Sequence, residues 1–181
     1  VPRPLRSIVQ AAPGYKLVEA DFVLAELVCA AVVGREWTLL EHCNLAALPE
    51  DHPDHYDLHA QMAVRAFNLG CKPTKHGLAQ LGALPLRVAA KNIIFGAMYG
   101  RTAEAVARQC REEGNDVSVE DAQRLIDALF NAYPNLYSLQ EALKNRVITE
   151  GWIMTCWGRL RRFYRSDDPA TIAAQQREAL N

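Results

Sequence analysis

The sequence predicts a mostly helical α/β chain with few strand elements, folded as a single unit. Three observations predict it. Most of the chain falls into runs that read as helix, among them the amphipathic stretch Thr102 to Glu113. Capping and breaking residues bound those runs: Asp57, Ser118, Tyr133-Pro134 and Gly151. Strand-like patterning is confined to a short alternating stretch, Lys16 to Phe22, and a hairpin-like stretch, Trp152 to Tyr164.

In order along the chain, Pro13-Gly14 forms a turn, and Lys16-Leu-Val-Glu-Ala-Asp-Phe22 is expected as a strand ending at Asp21. Leu24 to Val33 follows as a helix. Leu45 to Tyr56 holds two prolines and a cluster of Asp and His, so a loop is expected. Asp57 is placed to cap a helix running to about Phe67. Asn68 to Ala83 is irregular, with three glycines and a proline. Pro85 then sits in the first turn of a helix that ends near Tyr99-Gly100. Ser118 followed by Asp121 resembles a capping box and opens a helix to Ala132. Pro134 breaks that helix, and another runs from Leu136 to Glu150. Trp152 to Trp157, a turn at Gly158 and Leu160 to Tyr164 predict a hairpin, and a last helix begins near Pro169. Met98, Trp152 and Trp157 are expected in the core.

With 181 residues the chain is long enough for one sizeable core. Half the residues are hydrophobic and 23% are charged, the balance of an ordinary globular protein. The net charge of −1 points to no polyanionic partner, but the distribution is uneven. Lys144 to Arg165 holds six basic residues against the single acid Glu150, a strip compatible with nucleic-acid contact or with a solvated face. Five widely spaced cysteines without a CxxC pair suit free thiols in a reducing compartment. No apolar run reaches membrane-spanning length, so a cytoplasmic location is expected. The start at Val1 and the stop at Asn181, with no helix stop signal, suggest a piece of a longer protein.

The helix around residues 86–100 carries the clearest chemical pattern. Arg87, Lys91, Phe95 and Tyr99 lie four apart and so form one stripe, cations at the N-terminal end and rings at the other. The opposite face, Ala90, Ile93, Ile94, Ala97 and Met98, is apolar and suited to packing. A nucleoside triphosphate needs fixed cations for its phosphates, then a flat surface for base and sugar. An amphipathic helix with an incidental basic edge explains the spacing alone equally well.

The wider pattern separates these two. Arg87-x-x-x-Lys91-x-x-x-Phe95-Gly96-x-x-Tyr99-Gly100 resembles the fingers-helix motif of family-A DNA polymerases, the group of bacterial DNA polymerase I. Ala20-Asp21-Phe22-Val23-Leu24-Ala25-Glu26-Leu27 resembles that family's first palm motif, although Val23-Leu24-Ala25 stands where Ser-Gln-Ile or Ser-Gln-Leu is usual. By this resemblance Asp21 is a metal-bridging carboxylate, the Phe22 carbonyl coordinates one ion, and Glu26 is a steric gate against the ribose 2′-hydroxyl. Asp57-Leu58-His59 resembles the family's Asp-Ile-His element, whose histidine meets the nucleotide phosphates. Leu5-Arg6 resembles the stretch that adds Arg6 as a further phosphate contact. Gly151 to Arg162 is similar to a stretch that follows the fingers helices. Arg177-x-x-x-Asn181 resembles the start of a palm helix touching DNA near the primer terminus.

The resemblance implies palm over residues 1–30, fingers over 31–165 and the start of a returning palm helix over 166–181. It implies dNTP bound by Arg6, Glu26, His59, Arg87, Lys91, Phe95 and Tyr99, with Asp21 and Lys91 catalytic. Arg177 and Asn181 would hold DNA, and the complete enzyme would use two Mg²⁺ ions. Partners implied are primer-template DNA and dNTP, with no membrane and a monomer expected. Phe95 in place of tyrosine suggests discrimination against dideoxynucleotides. The segments 35–56 and 68–84 are longer than in common members. The chain carries no His-Asp-Glu motif, so the second metal carboxylate is missing and this span alone is expected to be inactive. A catalytically inactive polymerase-fold protein that binds DNA is the alternative, motivated by Val23-Leu24-Ala25. A single-subunit RNA polymerase shares the helix logic, but Glu26 speaks against it. Zinc at His52, His55 and His59 with Cys43 and Cys71 matches no common ligand spacing.

Overall fold

The computed structural model describes residues 8–181. Nine helices and one two-stranded sheet are assigned among them: α1 (Ala25–Gly34), α2 (Trp37–Ala46), α3 (Leu58–Phe67), α4 (Lys75–Gln80), α5 (Leu84–Met98), α6 (Ala103–Glu112), α7 (Val119–Ala132), α8 (Pro134–Thr149), β1 (Trp152–Met154), β2 (Leu160–Arg162) and α9 (Pro169–Leu180).

The helix starts follow their capping chemistry. Asp57, Thr102, Ser118 and Asp168 each accept a hydrogen bond from the backbone N–H three residues on, satisfying one of the donors a helix start leaves open. Pro85 and Pro134 occupy first turns, where the missing N–H costs nothing. The turn at Pro13-Gly14 forms, with Gly14 at φ +85° and Tyr15 N–H donating to the Ala12 carbonyl.

α5 is the central element and packs against α3, α4, α6 and α7. Its Ala89, Ala90, Ile93, Ile94 and Ala97 are buried, as the apolar face requires, and Met98 packs partly buried beside them. Each fully buried Ile contributes roughly 1.5–3 kcal/mol. Gly96 is the contact point with α6: a β-carbon there would stand 2.8 Å from Val106 Cγ2. Gly100 ends the helix at φ +68°, a conformation that favours glycine, and faces Leu180 of α9. Thus Gly96 and Gly100 both have packing or backbone reasons.

α8 locks the far end of α5. The Gln140 amide, buried, donates to the carbonyls of Ala97 and Met98 at the end of α5, where Ala97 also accepts from the Gly100 N–H. Glu36, also buried, accepts from the Asn135 N–H at the start of α8. The buried Tyr133 hydroxyl pairs with His42 Nδ1 at 2.8 Å, and the His42 ring stacks on Tyr56. These contacts tie the 35–56 segment to α7 and α8.

The hairpin forms with antiparallel pairing of Trp152 with Arg162, Ile153 with Arg161 and Met154 with Leu160. Three sequence expectations need correction. Lys16 to Phe22 is not a strand: no other described segment pairs with it, and Lys16 to Phe22 are all exposed. The 35–56 and 68–84 segments are not wholly irregular, since they contain α2 and α4. Trp157 is not core; it stands 85% exposed at the hairpin tip, while Trp152 is half-buried under the Arg146 guanidinium.

Candidate functional site

Three of the stripe's four side chains act in one neighbourhood with α3, whose N-terminus faces α5. Arg87 Nε donates to Asp57 Oδ2 at 2.7 Å, while Asp57 Oδ1 accepts from Ala60 N–H. One face of the guanidinium is therefore fixed and its Nη groups remain for another acceptor. Lys91, one turn on, is exposed and makes no ion pair among the described residues. Phe95, half-buried, lies with its ring 6.3 Å from that of His59.

His59 is the unusual member of this group. It is buried, and its Nε2 has no hydrogen-bond partner among the described residues, a costly state for a polar atom. Burial pushes the imidazole down to about 4; Asp57 opposes that shift, and Arg87 and Lys91 reinforce it. The ring is therefore neutral near pH 7. The unpartnered nitrogen thus belongs to a neutral ring that feels the charge of both Arg87 and Lys91.

The fourth stripe residue, Tyr99, belongs to a second cluster. Burial raises its phenol above the usual value, and Glu26 adds to the rise through its charge and a hydrogen bond. Glu26, Tyr99 and Asn181 line one cavity of about 470 Å³ between α1, α8 and α9, walled by Cys29, Met98 and Leu143 among others. Arg177 lies beside Gly100 and opens onto a groove shared with Arg101 and Arg108. Glu26, Tyr99, Arg177 and Asn181, spread over 156 positions of sequence, thus meet at the C-terminal end of α5.

Asp21 and Phe22 precede α1 and are exposed. Asp21 Oδ1 accepts from the Phe22 N–H at 2.9 Å, leaving Oδ2 available. Leu24, at φ 53°, sits in the left-handed region ahead of α1, uncommon for a non-glycine residue. Among the described residues no three metal-ligating side chains gather. Asp21 and the Phe22 carbonyl offer hard oxygen donors of the type Mg²⁺ takes. Arg6 lies outside the described residues.

The histidines of the 52–59 region have separate roles. His55 Nδ1 pairs with the Leu48 carbonyl, His52 lies 4.0 Å from Asp54, and His59 turns inward. The basic strip is partly neutralised: Lys144 pairs with Glu141, Arg146 with Glu150 and Arg161 with Glu178. Arg159, Arg162 and Arg165 are exposed and form no ion pair among the described residues. No local pattern signals the Asp57–Arg87 pair, because its partners stand 30 residues apart.

No described helix is long and apolar enough to cross a membrane. Residues 2–181 match the family model described as DNA polymerase family A. The DNA polymerase of Escherichia phage T5 is 28% identical over 191 residues, covering 98% of this chain and 22% of that protein. DNA polymerase I of Treponema pallidum is 26% identical over 99% of this chain and 16% of its own length. DNA polymerase I of Chloroflexus aurantiacus is 31% identical over 99% of this chain and 17% of its own. The chain thus spans about a fifth of the length of these relatives. In fold it is similar to the POL domain of Pol1 from M. smegmatis, solved in complex with DNA primer-template and dNTP, with a TM-score of 0.62 and 22% identity over 88% of this chain and 25% of that one. The match to the family model extends over nearly every residue, the sites just described included, and the chain belongs to DNA polymerase family A.

Proposed function

We propose that this chain is the nucleotide-binding part of a template-directed DNA polymerase: palm over residues 1–30, fingers over 31–165 and the start of a returning palm helix over 166–181. The observation that carries the reading is the orphaned His59 Nε2 beside Arg87 and Lys91. A triphosphate supplies the acceptors this corner lacks and meets fixed cations there.

In this reading Arg87, Lys91 and His59, with Arg6, hold the phosphates of the incoming dNTP. Phe95 and Tyr99 continue the same stripe toward the base and sugar. Lys91, exposed and outside any ion pair among the described residues, also balances charge that builds on the leaving pyrophosphate. Glu26, held against Tyr99, fills the space of a ribose 2′-hydroxyl. Asp21 and the Phe22 carbonyl hold part of the Mg²⁺ shell, and the ions, when bound, lower the pKa of the primer hydroxyl. Arg177 and Asn181 meet primer-template DNA beside the end of α5. Nucleotidyl transfer to a primer is the activity assigned to the whole protein.

Binding is the property this chain tests directly. Titration with dATP should show saturable binding that weakens about tenfold or more in Arg87→Ala and in Lys91→Ala, the scale of a lost charge-assisted contact. Binding that is absent, or indifferent to both substitutions, overturns the reading.

The left-handed Leu24 within the altered Val23-Leu24-Ala25 stretch favours a second reading, a polymerase-fold protein that binds DNA without chemistry. That protein would bind DNA with no response to dNTP or Mg²⁺.

A further inference from the structure

Asp57 makes two hydrogen bonds that serve different ends. Oδ1 accepts from the Ala60 N–H at 3.1 Å and caps α3. Oδ2 accepts from Arg87 Nε at 2.7 Å, across to α5. The carboxylate is only 7% exposed and the arginine side chain 25%, so the pair is held in a dry, packed position rather than splayed on the surface. A cap needs only one oxygen, and Ser, Thr or Asn would supply it. The second oxygen does something a cap does not require.

A guanidinium is a rigid plane with five N–H donors, on a side chain with large rotamer freedom. Engaging Nε fixes that plane and leaves the Nη donors presented together, the edge that grips phosphate oxygens in pairs. His59 sits two residues after Asp57 on the same helix turn, and the same carboxylate influences its imidazole. One side chain thus caps α3 and holds the Arg87 guanidinium, while its charge bears on His59.

We propose that Asp57 is a positioning residue for triphosphate recognition, holding Arg87 in the orientation in which it takes the phosphates. This rests on Arg87 being a phosphate ligand, and predicts that loss of Oδ2 as an acceptor weakens anion binding while the α3 cap survives. Asp57→Asn separates the two roles. Asparagine caps helices as well as aspartate, but with its oxygen on Ala60 N–H it turns an NH₂ donor toward Arg87 Nε.

Inorganic tripolyphosphate is titrated by calorimetry into the full chain, Asp57→Asn, Arg87→Ala and the double variant, with helix content and thermal midpoint followed by circular dichroism. The expected result is about a tenfold loss in Asp57→Asn, the value of one charge-assisted contact, with helix content unchanged. The double variant should bind no more weakly than Arg87→Ala alone, because Asp57 acts through Arg87. Unchanged affinity in Asp57→Asn, or losses that multiply in the double variant, overturn the proposal. Arg87→Ala binding as tightly as the parent instead overturns the assignment of Arg87 itself. Asp57→Ser serves where Asp57→Asn loses its fold: it keeps a cap oxygen for α3 but offers Arg87 no carboxylate. A tenfold loss there supports the proposal, and unchanged affinity overturns it.

Discussion

Gly96 of α5 and Val106 of α6 touch so closely that a β-carbon on the glycine would stand 2.8 Å from Val106 Cγ2 and 3.3 Å from Cγ1. The approach brings α6 against the helix that carries Arg87, Lys91, Phe95 and Tyr99. It also gives Gly96 a reason independent of nucleotide chemistry.

Gly96→Ala is therefore expected to destabilise the chain by about 1–3 kcal/mol, the cost of overpacking a filled core. Val106 is fully buried and β-branched, so it has few rotamers with which to move aside. Val106→Ala opens the space, and in that background Gly96→Ala should cost less than in the parent. Urea denaturation of the four proteins gives the coupling energy. Strictly additive losses would remove the contact as the explanation.

The buried His59 makes stability depend on pH with a definite sign. Its folded-state value is about 4, below the ordinary 6.5, so between those values the unfolded chain binds the extra proton. The contribution is therefore present in full above about pH 6.5 and is lost as pH falls toward 4. Its size is up to about 3 kcal/mol, from the linkage between a pKa difference and free energy. Thermal midpoints measured from pH 4 to 7 should fall on acidification, and less steeply in His59→Gln. A bound triphosphate would reverse the electrostatics around the ring and raise its value, so the same series with tripolyphosphate should be flatter at the acid end. Identical slopes for the parent and His59→Gln would show that the ring does not titrate in this way.

What was legible in the sequence was local. Asp57 and Ser118 are short-range caps, and the turn before β2 and the stripe on α5 are likewise set by neighbours a few residues away. The periodic apolar face of α5 identified its buried side down to Ile93 and Ile94. α2 was missed because nothing local announces it: Glu36, before its first turn, makes no side-chain cap, and its carboxylate instead binds Asn135 N–H, 99 residues on. α4 is only six residues long and depends on Gly77 fitting against the Lys72 carbonyl. Lys16 to Phe22 has the alternation of a strand, but alternation supplies no pairing partner. At the site, spacing grouped Arg87 with Lys91, and the family resemblance added His59. The acceptor that orients Arg87 and the convergence of Glu26 with Asn181 depend on tertiary packing.

Glu26 and Tyr99 offer a test at the other end of the stripe. The phenol is raised by burial and then by Glu26, so Glu26→Ala should bring Tyr99 back toward its ordinary value while burial keeps it above. A difference ultraviolet titration of parent and variant would read that shift directly. If the Glu26 side chain occupies the room of a ribose 2′-hydroxyl, the same variant should also bind ATP more nearly as it binds dATP. Competition against a fluorescent nucleotide should show the preference for dATP falling by about tenfold, the worth of one well-placed polar contact. A Tyr99 shift with unchanged sugar preference would separate the two effects: Glu26 would then hold Tyr99 without gating the sugar.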